Sequence, residues 1–244
     1  LQQVRGTLRQ ASLPDIASNG HDPWSAVEID AGLAPSVRCA VESAILWVAA
    51  DATGRPIPSV LSDAPRPAVS LNALLDGGPD EVEAAAERVR ERGYRAVKIK
   101  VGRDDPDYEA EAVRILADLL GPGITIRLDA NRRWRFHEAI AFAEDIRTVP
   151  IEYIEEPVED PSRLPEFERQ SGLPIALDET TREIDPGQLS AHRYARAVVL
   201  KPMLLGGLRA TVRWAQHAQR LGMTPVVSAS FESGIGTQVL VSLA

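Results

Sequence analysis

From residue 69 onward, short runs of Val and Ile alternate with stretches whose apolar residues recur three and four positions apart. Val69–Leu71, Ala96–Val101, Ile124–Asp129, Ile151–Glu155, Ile175–Asp178, Ala197–Leu200 and Pro225–Ser228 read as strands. Between them, PDEVEAAAERVRERG places Val82, Ala85, Ala86 and Val89 on one helical face. GGLRATVRWAQHAQRLG sets Leu208, Val212, Ala215 and Leu221 near one stripe, with Gly222 as the stop signal. Strand starts recur every 22 to 28 residues, seven times. That period belongs to parallel strands joined by buried crossovers. Seven units fit a barrel of the (β/α)8 type better than an open doubly wound sheet.

Residues 1–61 break the period. They hold a turn-rich stretch, PDIASNGHDPW, and one helical run, SVRCAVESAILWVAADATG. SDAPRPA at 62–68 reads as a linker. The predicted organisation is therefore an accessory domain remnant at 1–61 and a (β/α) barrel domain at 62–244. An eighth strand is expected after the helix beginning near Gly234, and the sequence reaches Ala244 without it.

Composition narrows the function classes. Hydrophobic residues make up 44% and charged residues 25%, an ordinary globular balance. A net charge of −8 without a basic run argues against nucleic acid or an anionic membrane as partner. No apolar stretch approaches the ~20 residues that span a bilayer, and LQQVRGTLRQ lacks the apolar core of a signal peptide. Cys39 stands alone, so neither an internal disulfide nor a zinc site is expected. A cytoplasmic enzyme or binding protein for a small molecule remains, and the sequence sets no oligomeric state.

One detail of the charge count bears on chemistry. Of 27 basic residues only Lys98, Lys100 and Lys201 are lysine. Arginine stays protonated at any working pH, whereas lysine can lose its proton where its surroundings favour the neutral form. In a parallel barrel the active site lies at the carboxyl ends of the strands. There the second strand presents Lys98 and Lys100, and the third Arg127, Asp129 and Asn131. The fourth presents Glu155 and Glu156, the fifth Asp178 and Glu179, and the sixth Lys201. The seventh leads into Ser228, Ser230 and Glu232.

Singly, each element has a bland reading: a solvated Lys-X-Lys pair, acids enriched at a helix start, an Asp serving as a cap. Their recurrence at the same position of consecutive units favours a site. Three carboxylates from adjacent strands require a neutralising cation. Oxygen ligands without His or Cys point to Mg²⁺, with Mn²⁺ as the alternative. Lysines flanking such a cation suit proton abstraction beside a carboxylate.

The motifs KIK, LDAN, EEP, LDE and LKP, in that order, resemble the muconate-lactonizing subgroup of the enolase superfamily over roughly residues 35–244. Within it, LKPMLLGGL, SASFESGIG and APSVRCAVESAI look most like the o-succinylbenzoate synthase branch. The resemblance implies a TIM-like (β/α)7β-type α/β barrel with an N-terminal α+β capping domain, both incomplete in this chain. Sites of this superfamily use a Lys or His base with Mg²⁺. By match to the family motifs, Asp129, Glu155 and Asp178 are the expected metal ligands. Lys100 is the expected base, Lys201 an opposed cation, and Lys98 an auxiliary that lowers the pKa of Lys100. Glu179 is expected to orient ligands or Lys201. Arg127, Asn131, Ser228, Ser230 and Glu232 are expected to line the substrate site.

The expected activity is a metal-dependent dehydration of a small carboxylate. N-succinylamino acid racemisation, dipeptide epimerisation and muconate cycloisomerisation would use the same residues. A Schiff-base lyase built on Lys201 and a non-catalytic barrel are remoter alternatives. Outside the site, His21, His137, His192 and His217 read as surface or helix-face residues. Cys39 reads as a small buried hydrophobe, Trp134 as packing under the LDANRR stretch, and GPG at 121–123 and LLGG at 204–207 as turns.

Overall fold

The apolar runs become strands and the periodic stretches helices in the computed structural model, which describes residues 22–75 and 79–244. The helices are α1 (Pro35–Thr53), α2 (Ile57–Leu61), α3 (Pro79–Glu91), α4 (Pro106–Leu120), α5 (Phe136–Asp145), α6 (Leu164–Ser171), α7 (Pro202–Leu205), α8 (Leu208–Arg220) and α9 (Gly234–Leu243). The strands are β1 (Asn72–Leu75), β2 (Ala96–Lys100), β3 (Thr125–Asp129), β4 (Ile151–Glu155), β5 (Ile175–Leu177), β6 (Ala195–Leu200) and β7 (Thr224–Val227). They form one sheet in chain order, β1 to β7. Each successive pair from β1 to β6 is parallel. This is the TIM-like α/β class expected from the period. His21 lies outside the described residues.

Local chemistry explains most boundaries. Several helices, among them α1, α4 and α7, open with proline in the first turn, where its missing N–H costs nothing. The Asp105 side chain caps α4 by accepting from the Asp107 N–H at 3.0 Å. Gly54 and Gly172 end α1 and α6 in the left-handed conformation, at φ +64° and +70°.

Two expectations are corrected. The first strand is Asn72–Leu75, not Val69–Leu71, because the parallel register pairs Asn72 with Ala96 and Ala73 with Val97 and so buries Ala73. Leu71 is left 59% exposed. The buried stripe of α8 is Leu208, Thr211, Trp214 and Ala218, whereas Val212, Ala215 and Leu221 are half-buried. Apolarity alone missed Thr211, whose hydroxyl is satisfied by donating to the Gly207 carbonyl at 2.8 Å.

The chain divides into two compact units. One takes in Ser70–Val198 and Ala218–Thr224; the other takes in the described residues up to Val69 with Val199–His217 and Pro225–Ala244. In the first, strand residues Val97, Leu128, Ile154 and Ile175 and helix residues Val113, Phe142 and Phe167 are buried. Val82, Ala85, Ala86 and Val89 of α3 are buried as the periodicity predicts. Trp134 lies 4.4 Å from the Phe142 ring, centroid to centroid. In the second, Trp24, Cys39, Ile45, Leu46, Ala49, Ile57, Leu208 and Val239 share one apolar cluster. The regular elements among its described residues before Val69 are a 3₁₀ turn at Pro23–Ala26, α1 and α2. No helix among the described residues is long and apolar enough to cross a membrane.

Candidate active site

The strand alternation of β2, β3 and β4 sets the site. In register, Lys98 is opposite Arg127, Lys100 opposite Asp129, and Asp129 opposite Glu155. Residues two apart share a face, so Lys98 and Lys100 stand on the face that carries Asp129 and Glu155. The Lys98 ammonium donates to Glu155 Oε2 at 2.6 Å and lies 2.9 Å from Asp129 Oδ2. Lys100 donates to the same Asp129 oxygen at 2.8 Å and to Asn131 Oδ1 at 2.7 Å. Asn131 in turn donates through Nδ2 to Glu179 Oε1 at 3.1 Å, and its own N–H donates to Asp129 Oδ1 at 3.2 Å. The amide thus offers its oxygen to an ammonium and its nitrogen to a carboxylate.

Electrostatics follow from this packing. Burial works against the charge of Lys98, but Glu155 and Asp129 outweigh it and hold the ammonium above the ordinary lysine range. Lys98 is therefore a fixed cation beside Lys100, and it does not itself shed a proton readily. Burial also opposes ionisation of Asp129, yet Lys98 and Lys100 keep its carboxyl below the usual range. Glu155 goes the other way. Burial pushes it up, Lys98 pulls it down, and the like charges of Asp129 and Asp178 add to the rise. Glu179 is likewise raised, first by burial and then by Asp178.

The donor set fits a hard divalent cation. Asp129, Glu155 and Asp178 are 1%, 1% and 2% exposed, and all three offer carboxylate oxygens at or directly after the ends of adjacent strands. A positive group, the Lys98 ammonium, already lies between two of them. Glu179 adds a buried carboxylate oxygen, Oε2, that finds no hydrogen-bond partner among the described residues. In this arrangement Asp129 and Glu155 turn toward the lysines. Among the described residues no three His, Cys, Asp or Glu side chains converge as a metal-binding group.

The remaining predicted residues make other contacts. Arg127 stands one layer nearer the start of β3. Its Nε donates to Glu152 at 2.6 Å, its NH1 to Asn72 Oδ1 at 3.3 Å, and its guanidinium lies 5.2 Å from the Tyr153 ring centre. Lys201, Ser228, Ser230 and Glu232 belong to the other compact unit. Lys201 directly precedes α7, and its carbonyl accepts from the Leu204 and Leu205 N–H groups at 2.9 and 3.0 Å. The Ser228 N–H donates to the Leu200 carbonyl at 2.9 Å, which holds the exit of β7 to the end of β6. The Ser230 N–H donates to Glu232 Oε2, while Glu232 Oε1 is buried without a partner among the described residues. Phe231, between them, is fully exposed at φ +64°.

Sequence reasoning gave Glu156 no role, and the structure does. It is fully buried, at φ +40°, and Oε1 accepts from the Asp178 and Thr180 N–H groups at 3.0 and 2.8 Å. Oε2 accepts from Arg132 Nε at 2.9 Å. Arg132 also donates to Thr180 Oγ1 at 2.9 Å and to both oxygens of Glu183. Glu156 thus fastens the end of β4 to the start of the 3₁₀ turn Glu179–Arg182 that follows β5. The signal in the sequence was period-two alternation: of two adjacent glutamates leaving a strand, one alone can share the face of Tyr153.

With the geometry in view, the comparisons fall into one group. The enolase C-terminal domain-like family model matches residues 80–244. An o-succinylbenzoate synthase of Yersinia pseudotuberculosis serotype O:3 (strain YPIII) is 36% identical over 174 residues, covering 70% of this chain and 53% of that protein. Protein PHYLLO, chloroplastic, of Arabidopsis thaliana is 35% identical over 237 residues, 91% of this chain and 14% of that protein. The chain therefore spans about half the length of the bacterial relative and a small part of the plant one. Muconate cycloisomerase from Pseudomonas fluorescens superposes with a TM-score of 0.77 at 26% identity, over 84% of this chain and 58% of that one. By its sequence, its parallel sheet and its strand-end carboxylates, the chain belongs to the enolase C-terminal domain-like family.

Proposed function

We propose that the chain carries the active site of an o-succinylbenzoate synthase. The reaction dehydrates 2-succinyl-6-hydroxy-2,4-cyclohexadiene-1-carboxylate to 2-succinylbenzoate, and the partner is this small carboxylate. The observation that carries the proposal is the Lys98–Lys100–Asp129–Glu155 cluster, with its two ammonium groups at 2.6 to 2.9 Å from two buried carboxylates. The 36% identity to a bacterial o-succinylbenzoate synthase favours this reaction within the family.

Asp129, Glu155 and Asp178 would hold Mg²⁺ or Mn²⁺, which supplies positive charge where negative charge builds on the substrate carboxylate. Lys100, as the neutral amine, takes the proton from the carbon bearing that carboxylate. The same ammonium then returns the proton to the departing hydroxyl as the C–O bond breaks. Water leaves, and the ring becomes aromatic. Asn131 holds the Lys100 nitrogen in place between these transfers. Lys98 stays charged beside Lys100, held by Glu155 and Asp129. By match to the family motif, Lys201 would supply a second cation.

Turnover of the cyclohexadiene carboxylate by the purified chain with Mg²⁺, and its loss in EDTA, tests the proposal. Lys100→Ala and Lys201→Ala are each expected to abolish turnover without unfolding the protein. A second reading, a cycloisomerase or racemase using the same lysines, is favoured by the likeness to muconate cycloisomerase. It predicts solvent deuterium entering N-succinylamino acids, or muconate lactonisation, without dehydration. That pattern would sink the first reading.

A further inference from the structure

Two residues beyond Lys100 the chain turns through Gly102, at φ +79°, and three successive backbone N–H groups point the same way. All three end on one side chain. Glu109, in the first turn of α4, accepts from the Gly102 N–H at 2.7 Å through Oε2. Through Oε1 it accepts from the Arg103 and Asp104 N–H groups at 2.8 and 3.2 Å. Convergent amides of this kind make an anion-binding concavity. Here an internal carboxylate, 7% exposed, fills it.

The loop so held is packed against the loop that carries the partner of Lys100. A Cβ added at Gly102 would lie 2.9 Å from the Arg133 Cβ and 3.2 Å from the Ala130 carbonyl oxygen. The Val101 N–H donates to the Asp129 carbonyl at 2.9 Å. The exits of β2 and β3 are thus locked together beside the Lys100–Asn131 hydrogen bond, whose two ends they carry.

We propose that Glu109 is a positioning residue for Lys100. It organises the Gly102–Asp104 amides so that this loop seats on the Ala130–Arg133 loop and fixes the distance between Lys100 and Asn131. The proposal rests on the reading of Lys100 as the base, and the test separates the two. Glu109→Gln leaves one acceptor oxygen and turns an amide nitrogen toward the donors. Gly102→Ala disturbs the same contact from the other side and keeps Glu109.

Amide hydrogen–deuterium exchange of the full chain, without substrate, reads the coupling directly. In Glu109→Gln, exchange is expected to accelerate several-fold both at Gly102–Asp104 and at Asn131–Arg133. Acceleration confined to Gly102–Asp104 overturns the proposal, whatever the substrate proves to be. With the cyclohexadiene carboxylate and Mg²⁺, both variants are expected to lose about 10- to 100-fold in kcat with KM within twofold. Sodium formate, filling the vacated amide cradle, is expected to restore part of the loss in Glu109→Ala. A folded Glu109→Gln with wild-type kcat overturns the proposal, as does a loss that neither formate repairs nor Gly102→Ala reproduces. Absence of turnover in the wild type defeats the functional reading alone.

Discussion

Replacing Lys100 by Arg keeps a positive charge beside Asp129 and Asn131 but exchanges an amine for a guanidinium that does not give up its proton. Under the proposed reaction this substitution is expected to cost roughly 10²- to 10⁴-fold in kcat, the usual contribution of a general base. Steady-state assays of Lys100→Arg beside Lys100→Ala check it, and near-native activity in the arginine variant would remove Lys100 from the proton transfer. A different residue-scale prediction concerns Cys39. Burial, followed by the charges of Glu42 and Glu232, raises its thiol from 9.0 to about 11. A raised pKa means stability from this group is intact below pH 9 and falls as pH climbs toward 11. Iodoacetamide at pH 8 is therefore expected to label Cys39 in the folded chain at least about 10-fold more slowly than in urea, as mass spectrometry of timed samples would report.

The elements show which features a one-dimensional pattern can carry. Val82, Ala85, Ala86 and Val89 were legible because burial on α3 follows apolarity alone. The first strand was misplaced by three residues because both halves of AVSLNALL carry apolar residues, and only pairing with Ala96–Ile99 selects the second half. The strand-end lysines and acids were legible because a parallel sheet puts every strand exit at one end. Glu42, Glu109 and Glu156 were not, because each holds backbone amides, which carry no letter in a sequence. Glu42 shows what such a group does for two helices. It is 3% exposed on α1, accepts the Arg209 N–H at 2.9 Å, and also takes the Leu208 N–H, so it caps the start of α8. Glu42→Ala leaves those donors unsatisfied and is expected to lower stability by about 1–3 kcal/mol in urea unfolding. At Gly207, φ +106° and the adjoining Glu42 carboxylate leave no room for a methyl group. Gly207→Ala is expected to destabilise by about as much, on strain as well as contact.

At the scale of the whole molecule, if Asp129, Glu155 and Asp178 hold a divalent cation as proposed, folding would be sensitive to it. Mg²⁺ that binds the folded chain alone adds about 2.7 kcal/mol at 100 times its dissociation constant. Thermal unfolding is therefore expected to shift upward with Mg²⁺ and back with EDTA. The shift should shrink in Asp178→Asn, and an equal shift in both proteins would place the cation elsewhere. The sheet order also ends on β1, where Leu74 is 61% exposed and Leu71, just before the strand, 59%. An exposed apolar end strand invites pairing between chains, so Leu74→Lys is expected to reduce light scattering on concentration.

The scarcity of lysine has a practical side. Apart from the chain's N-terminus, the only primary amines are Lys98 within β2, Lys100 at its end and Lys201 directly after β6. On most proteins a succinimidyl ester decorates harmless surface lysines. Here it has almost nowhere to go except the proposed catalytic rim, where the Lys98 and Lys100 side chains are 14% and 23% exposed. Under the proposed function, amine-coupling chemistry on this protein would double as site-directed inactivation, and immobilisation or fluorescent tagging should be routed through carboxylates or an added thiol.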